Sequence, residues 1–187
     1  MDFATHSELA GRHSFLAASK PAWVNYTEER FDEAVISDMA AQRGTQLHEL
    51  AHDLVRLRVK LEDNGTTLSQ YVNDAIGFRM STEQILFYSY NAFVTTDAIA
   101  FRNSKLRVHD LKTGVNKTDH RQLEIYVAYF CLEYHINPAQ IEIELRIYQN
   151  DDIEIWVPEL ETIVFIMDRI VTWDRRIETI REESARG

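Results

Sequence analysis

Residues 97–114 read DAIAFRNSKLRVHDLKTG and form the most informative segment of the chain. Its two apolar-rich segments, residues 98–101 (AIAF) and residues 106–109 (LRVH), flank the turn-prone sequence RNSK at residues 102–105. β-Branched and aromatic residues on both sides of a short polar link are typical of paired β-strands. The stretch therefore predicts two neighbouring strands joined by a short turn.

Further strand segments lie on both sides of this pair. Residues 84–94 (QILFYSYNAFV) are aromatic and β-branched, and residues 141–147 (IEIELRI) alternate between apolar and charged side chains. Such alternation predicts a strand with one face in water, so its glutamates, Glu144 among them, are expected on a solvated face. Residues 150–152 (NDD) favour a turn into a last strand at residues 153–157.

Helices are predicted before, between and after these strands. Apolar residues recur with the helical period from residue 37 to residue 60, and Thr67 can cap a second helix. Thr118 or Asp119 can cap a third helix, after the first strands. The predicted organisation is one domain over residues 1–187, with an N-terminal helical part at about 1–80, a sheet core at about 83–157 and a C-terminal helix at about 160–183. This order predicts an α/β fold in which a mixed sheet is flanked by helices.

The chain is acidic, with a formal net charge of -10 at pH 7. This charge argues against a large non-specific nucleic-acid surface, because neutralising phosphate requires Lys and Arg. The charge is unevenly distributed, however, and residues 101–121 hold six basic residues against two acidic ones. A locally basic strip can engage one stretch of nucleic-acid backbone, although a solvated face would have the same composition.

The single cysteine, Cys131, excludes an intramolecular disulfide and any multi-cysteine zinc or iron–sulfur site. No apolar stretch approaches the length that crosses a bilayer. The N-terminal residues lack the basic start and apolar core of a signal peptide. We therefore expect a cytoplasmic protein without a membrane partner.

Asp97, Asp110 and Lys112 are the residues most suggestive of chemistry. We expect Asp97 at the start of one strand and Asp110 at the end of the next, with Lys112 on the same side of that strand as Asp110. Converging carboxylates are unfavourable unless a cation joins them, and Mg²⁺ or Mn²⁺ prefers oxygen ligands. A lysine beside such an ion can position an attacking water and offset phosphate charge. Taken alone, an Asp-x-Lys triplet is more simply a surface ion pair.

Other residues accompany this triplet in a fixed order. They are Gly44 and His48 on the first helix, Thr113 and Gly114 directly after the lysine, and Gln122 and Tyr126 on one face of the next helix. The ordered set Gly-x-x-x-His, Asp, Asp-x-Lys-Thr-Gly and Gln-x-x-x-Tyr resembles the RecB-type exonuclease branch of the PD-(D/E)XK nuclease superfamily. The resemblance covers roughly residues 14–147.

The resemblance implies a restriction-endonuclease-like core and a role for each matching residue. His48, Asp97, Asp110 and the Leu111 backbone carbonyl would ligate Mg²⁺ or Mn²⁺, Lys112 would position the nucleophilic water, and Gln122 and Tyr126 would hold the DNA backbone or order the site. Many relatives have Glu at the position of Asp110. The members that bind an iron–sulfur cluster need four cysteines, so no such cluster is expected here.

The implied function is that of a divalent-metal-dependent DNA exonuclease serving recombination or repair, like the stand-alone nucleases of phages and some bacteria. Candidate DNA-binding residues are Lys20, Arg102, Lys117 and Arg121. The implied partner is linear duplex or single-stranded DNA, with a single-strand annealing protein as a further partner. The location would be the cytoplasm of a bacterium or of a phage-infected host cell, and a homo-oligomer is left open.

Two alternatives remain. A catalytically idle relative could serve as a DNA- or protein-interaction module, which the acidic charge favours slightly and the intact acidic residues and lysine oppose. A zinc metalloprotease is the other, because residues 48–52 spell HExxH, with His48 and His52 as ligands and Glu49 as general base. No recognisable third ligand follows, and this interpretation leaves the Asp-x-Lys set unexplained.

Overall fold

The computed structural model of the protein describes Ser7, residues 14–114 and residues 119–185. The described part contains α1 (Glu28–Leu57), α2 (Thr67–Gly77), β1 (Ser81–Ser89), β2 (Ala92–Arg102), β3 (Lys105–Leu111), α3 (Arg121–Glu133), β4 (Glu142–Gln149), β5 (Asp152–Trp156) and α4 (Leu160–Ala185). The chain divides into two compact units, residues 1–43 and residues 44–187. The expectation of one domain stays a prediction.

The first unit holds a short 3-10 helix, Pro21–Asn25, and the beginning of α1. Trp23 Nε1 donates a hydrogen bond to the Ala17 carbonyl at 3.2 Å. Helix α1 begins earlier than the predicted residue 37, because the Thr27 hydroxyl accepts a hydrogen bond from Arg30 N and so caps the helix. Phe31, Ala34 and Val35 have the spacing of one helix face and are partly buried, so the sequence contains a period that the predicted start at residue 37 overlooked.

The second unit is built on a five-stranded sheet in the order β1-β2-β3-β4-β5. Strands β3 and β4 are parallel and are joined through α3, whereas the other neighbouring pairs are antiparallel. The predicted α/β fold with a mixed sheet flanked by helices is confirmed. Within the described ranges, no helix combines the length and apolar character needed to span a bilayer.

The central strands β3 and β4 are covered on both faces, and each face packs against different helices. On β4, Ile143, Leu145 and Ile147 face the core formed with α3 and α4. The intervening residues face α2 and the last turns of α1, where Tyr148 packs with residues such as Val72. Since fully burying a Leu or Ile side chain contributes roughly 1.5–3 kcal/mol, these two cores fix the strands that carry the candidate site.

Three tight turns connect antiparallel neighbours in the sheet. Asn103 and Asn150 have φ angles of 51° and 54°, as tight hairpin turns require, and both lie where turns were predicted. Residues 84–94, where strand structure was predicted, contain the hairpin turn between β1 and β2, whose position was not predicted. Asn91 N donates to Ser89 Oγ at 3.1 Å, so a side chain stabilises this turn without Gly or Pro.

The predicted solvated face is also wrong for Glu144, which lies in a polar layer under α2. Its carboxylate is 2.7 Å from Lys105 Nζ, 3.2 Å from Arg107 Nε and 2.9 Å from Arg146 Nη2. Both guanidinium groups stack over the Phe78 ring at the end of α2. Burial alone would raise the pKa of Glu144, but the hydrogen bonds and charges of its cationic neighbours lower it to about 2.

Replacing Glu144 by Gln is expected to lower the free energy of unfolding by about 1–3 kcal/mol at pH 7, because three cations lose their shared counter-charge. The folded-state pKa lies below the ordinary value of 4.5, so this stabilisation is present above pH 4.5 and is lost as the pH falls towards 2. Urea unfolding at several pH values measures the effect. Glu142→Gln is the control, because that side chain is 80% exposed on the same strand. A Glu144→Gln effect equal at pH 7 and near pH 2 would contradict this account.

Candidate functional site

The two predicted acidic residues lie on adjacent strands at one end of the sheet. Ala98 pairs with His109 in the antiparallel β2–β3 ladder. Asp97 and Asp110 therefore lie opposite each other at the next position of that ladder. Asp97 lies inside β2 and not at the predicted start of a strand, because β2 continues past β3 to pair with β1. Asp97 Oδ2 accepts a hydrogen bond from Leu111 N at 2.9 Å, which ties β2 to the end of β3.

Lys112 connects this strand end to α3. Its Nζ lies 2.8 Å from Asp110 Oδ2 and donates to Gln122 Oε1 at 2.7 Å. Gln122 Nε2 in turn donates to the Tyr126 hydroxyl at 2.5 Å. The backbone of Lys112 is held as well, because its N–H donates to the Tyr148 carbonyl of β4 at 2.9 Å. Four predicted site residues thus form one continuous chain of polar contacts.

His48 reaches the same place from α1. Its Nδ1 lies 3.4 Å from Asp97 Oδ2. The side chains of His48, Asp97 and Lys112 are 31%, 17% and 22% exposed, whereas Asp110 is completely buried. The site is therefore open to solvent on one side and backed by a buried carboxylate.

The surroundings of Asp110 disfavour the ionised form of its carboxyl group. Burial, and after it the charge of Asp97, raises the pKa of Asp110 to about 7, although the ion pair with Lys112 opposes the shift. Asp110 Oδ2 is buried and, despite its short contact with the lysine, accepts no hydrogen bond. A buried carboxylate oxygen in this condition is unfavourable, and a cation would relieve it.

The donor atoms suit a hard divalent cation. Asp97 and Asp110 offer carboxylate oxygens. The Lys112 N–H points towards β4, where it donates to the Tyr148 carbonyl. The Leu111 carbonyl belongs to the same planar peptide unit, so it points the opposite way, away from β4. On that side Asp97 accepts the hydrogen bond from Leu111 N. The separation between His48 Nδ1 and Asp97 Oδ2 is 3.4 Å. This is close to the roughly 3 Å that separates adjacent ligands of an octahedral ion bound at about 2.1 Å.

The donors are not arranged as an assembled metal site. Across residues 14–114 and 119–185, no three His, Cys, Asp or Glu side chains are grouped so that they could hold one ion. Asp110 is instead directed towards Lys112. The metal-binding roles of His48, Asp97, Asp110 and the Leu111 carbonyl therefore stay predictions.

The HExxH residues have separate environments. His48 contacts Asp97, whereas His52 Nδ1 lies 2.7 Å from Thr82 Oγ1 on β1. Glu49 is exposed. No third ligand side chain accompanies the two histidines in the described part of the chain.

The four candidate DNA-binding residues are distributed over different segments. Arg121 forms an ion pair with Glu124 at 3.2 Å at the start of α3. Arg102 ends β2, at the far end of that strand from Asp97. Lys20 is exposed in the first unit, and Lys117 lies outside the described residues. Of the two predicted caps of α3, Thr118 also lies outside them, whereas Asp119 Oδ1 accepts a hydrogen bond from Arg121 N at 3.0 Å.

Three residues around the site, Tyr71, Glu83 and Tyr148, were not predicted from the sequence. Tyr148 supports Lys112 through its carbonyl, while its hydroxyl donates to Asp74 Oδ2 at 2.7 Å on the opposite face of the sheet. Burial, with smaller contributions from nearby acidic groups including Glu83, raises the pKa of Tyr126 to about 12 and that of Tyr71 well above its ordinary value. Glu83 is thus a further acidic group near the site, in a strand position with a φ angle of 52° that no sequence pattern indicated.

Gly44 explains how α1 comes close to the lysine strand. A Cβ atom at this buried position would lie 2.8 Å from Thr113 Oγ1, directly after Lys112. Only glycine permits this approach without displacement. His48 lies one turn further along α1, so the contact between Gly44 and Thr113 also sets the position of the imidazole beside Asp97.

Gly44→Ala is therefore expected to lower the free energy of unfolding by about 1–3 kcal/mol through overpacking, in spite of the better helix propensity of Ala. The double variant Gly44→Ala with Thr113→Ala should regain most of that loss, since the contacted oxygen is removed. Gly77→Ala is the matched control, because no atom lies within 4 Å of its added Cβ. Guanidinium unfolding measures all of them, and a Gly44→Ala protein as stable as the control would refute the close contact.

Asp110→Asn is expected to stabilise the metal-free protein by on the order of 1–4 kcal/mol at pH 8. The folded-state pKa of about 7 lies above the ordinary value of 3.8, so the ionised carboxyl destabilises the fold fully above pH 7 and not at all below 3.8. The gain should therefore shrink as the pH falls from 8 to 4. Thermal unfolding in EDTA measures it, with the exposed Asp168→Asn as control. A loss of stability at pH 8 would contradict the proposed charge crowding.

Comparison of this chain with protein-family models, with curated proteins and with solved structures finds no match.

Proposed function

We propose that this protein is a metal-dependent deoxyribonuclease of the PD-(D/E)XK type that acts as an exonuclease. The observation that supports it is the convergence, at one end of the sheet, of residues from four separate elements. They are His48 from α1, Asp97 from β2, Asp110 and Lys112 from the end of β3, and Gln122 and Tyr126 from α3. Surface ion pairs have no need for this combination, whereas phosphodiester hydrolysis uses each of its chemical groups.

The carboxylates would hold the cation. Asp97 and Asp110, with the Leu111 carbonyl and His48, supply three oxygen donors and one nitrogen donor, a set suited to Mg²⁺ or Mn²⁺. When bound, such an ion polarises the phosphate and lowers the pKa of a coordinated water. The raised pKa of Asp110 supports this role, because burial and the Asp97 charge disfavour its carboxylate until positive charge is added.

Lys112 would act on the attacking water and on the phosphate. Its ammonium group is held by Asp110 on one side and by Gln122 on the other, so its position is defined before substrate arrives. At 22% exposure it remains accessible from solvent. A positioned ammonium can donate a hydrogen bond to the water and offset the charge that develops on the phosphate oxygens.

Gln122 and Tyr126 would position the lysine and contact the DNA backbone. The Gln122 amide links the lysine to the tyrosine, so displacement of either residue changes where the ammonium lies. The Tyr126 hydroxyl accepts a hydrogen bond from the Gln122 amide, so its own proton would be available for donation to a phosphate.

The proposal is tested with end-labelled linear DNA and closed circular DNA, each with Mg²⁺, Mn²⁺ or Zn²⁺. We expect loss of linear DNA with Mg²⁺ or Mn²⁺, little attack on circular DNA, and at least a hundredfold lower rate for Lys112→Ala and for Asp110→Asn. Cleavage is followed on gels, and circular dichroism checks that each variant is folded. Lys60→Ala, at an exposed lysine, is the matched control.

The other outcomes would contradict the site assignment or favour one of the alternative functions. Persistent cleavage by both variants would contradict the site assignment. Absence of cleavage with every metal, in a protein that binds DNA, would favour the idle interaction module. Cleavage of casein with Zn²⁺, lost on His52→Ala, would favour the metalloprotease.

A further inference from the structure

Three arginines surround one cavity on the side of the sheet near α2. The cavity has a volume of about 680 Å³, and its lining includes Arg58 after α1, Arg79 after α2 and Arg102 at the end of β2. Its remaining lining residues are Val55, Ala75, Ile76, Met80 and Ser81. No carboxylate lines the cavity, although the chain as a whole carries a net charge of -10.

In the described part of the chain, these three arginines differ from Arg107 and Arg146 of the sheet in having no ion pair. Arg107 and Arg146 share the Glu144 carboxylate in the polar layer under α2. Among the ion pairs of the described residues, by contrast, none involves Arg58, Arg79 or Arg102. Three guanidinium groups gathered without a counter-charge repel one another, and an anion in the cavity would relieve that repulsion. Planar guanidinium groups suit phosphate oxygens in particular.

An aromatic surface adjoins the arginines. A second cavity, of about 220 Å³, shares Arg79, Ser81 and Arg102 with the first one and is also lined by Phe101, Phe130 and Tyr134. The Phe130 ring contacts Phe101 and Tyr134, with centroid separations of 5.2 Å and 4.9 Å. Phe101 is 40% exposed and Tyr134 is 50% exposed. Exposed rings next to arginines are the combination by which proteins bind single-stranded nucleic acid.

The two cavities lie along the elements that carry the candidate metal site. Gln122, Tyr126, Phe130 and Tyr134 recur at four-residue intervals and form one ridge of α3, about 18 Å long. Strand β2 covers a similar distance, about 16 Å from Asp97 to Arg102. Tyr126 and Phe130 are each only 6% exposed, so these elements separate the arginine cavity from the metal site by roughly 16–18 Å, but the buried ridge is not an open path between them.

We propose that the arginine cavity and its aromatic neighbours form a subsite for single-stranded DNA. A backbone phosphate is held by Arg58, Arg79 and Arg102, and an adjacent base stacks on Phe101 or Tyr134. A single strand is favoured over a duplex because the faces of duplex bases are already stacked. The use of this subsite in DNA cleavage rests on the proposed nuclease function, whereas the binding itself does not.

The test is binding without cleavage. A fluorescein-labelled single-stranded oligonucleotide of twelve thymidines is titrated in EDTA and followed by anisotropy at several salt concentrations. The variant with Arg58→Gln, Arg79→Gln and Arg102→Gln should bind at least tenfold more weakly. Its slope of log affinity against log salt should be less steep by about 0.7, since the three arginines hold one phosphate and each phosphate contact contributes about 0.7 for a single strand. Tyr134→Ala should weaken binding on the order of tenfold with little change of slope.

Matched controls separate this site from general charge and general aromatic effects. Arg175→Gln removes an exposed arginine of α4, and Tyr90→Ala removes a ring that is 91% exposed in the β1–β2 turn. Both should bind like the unaltered protein. All variants change exposed side chains, and their thermal unfolding temperatures confirm that they are folded.

Binding by the triple arginine variant with unchanged affinity and slope would overturn the inference. A second result would also overturn it. Calorimetry would show that the arginines bind inorganic phosphate or pyrophosphate, and the oligonucleotide would bind no more tightly than these ions. The nuclease proposal can fail independently of this subsite. A protein that binds the strand through the arginines but never cleaves it would refute only the proposed nuclease function. The Lys112→Ala variant should keep its oligonucleotide binding.

Discussion

The candidate site depends on the crowding of two carboxylates at the ends of two paired strands. Asp110 is completely buried beside Asp97, and one lysine does not compensate both charges, as the pKa of about 7 for Asp110 indicates. Such an arrangement lowers stability, and a protein that retains it must gain something from it. The surrounding contacts are consistent with this crowding. Lys112 pairs with Asp110 and is held by Gln122, and the amide of Leu111 donates a hydrogen bond to Asp97.

The sheet and the grouping of the site residues were predictable because local spacing determines them. Residues 98–101 and 106–109 pair across a tight turn, and this pairing alone places Asp97 next to Asp110. Contacts that depend on distant segments were not predictable. The alternating pattern of β4 indicates that Glu144 faces away from Ile143, but only the position of α2 shows that this face is buried. The contact of Gly44 with Thr113 likewise joins residues about seventy positions apart, which no period or spacing records.

The arginine cavity follows the same logic. Arg58, Arg79 and Arg102 come from the ends of α1, α2 and β2, and each of them taken singly is an ordinary exposed residue. Arg102 belongs to the basic strip at residues 101–121, but other residues of that strip have different surroundings. Lys105 and Arg107 pair with Glu144, and Arg121 pairs with Glu124. Local charge density was therefore a poor guide to free positive charge, because most of the strip is neutralised by neighbours that the fold supplies.

Tyr148 serves both faces of the sheet at once. Its hydroxyl contacts Asp74 and His109 on the α2 side, and its carbonyl holds the backbone of Lys112. Any residue can supply the carbonyl, whereas the contacts with Asp74 and His109 require the tyrosine hydroxyl. Loss of that hydroxyl therefore affects the α2 side directly, whereas the Lys112 backbone loses its support only if the end of β4 shifts.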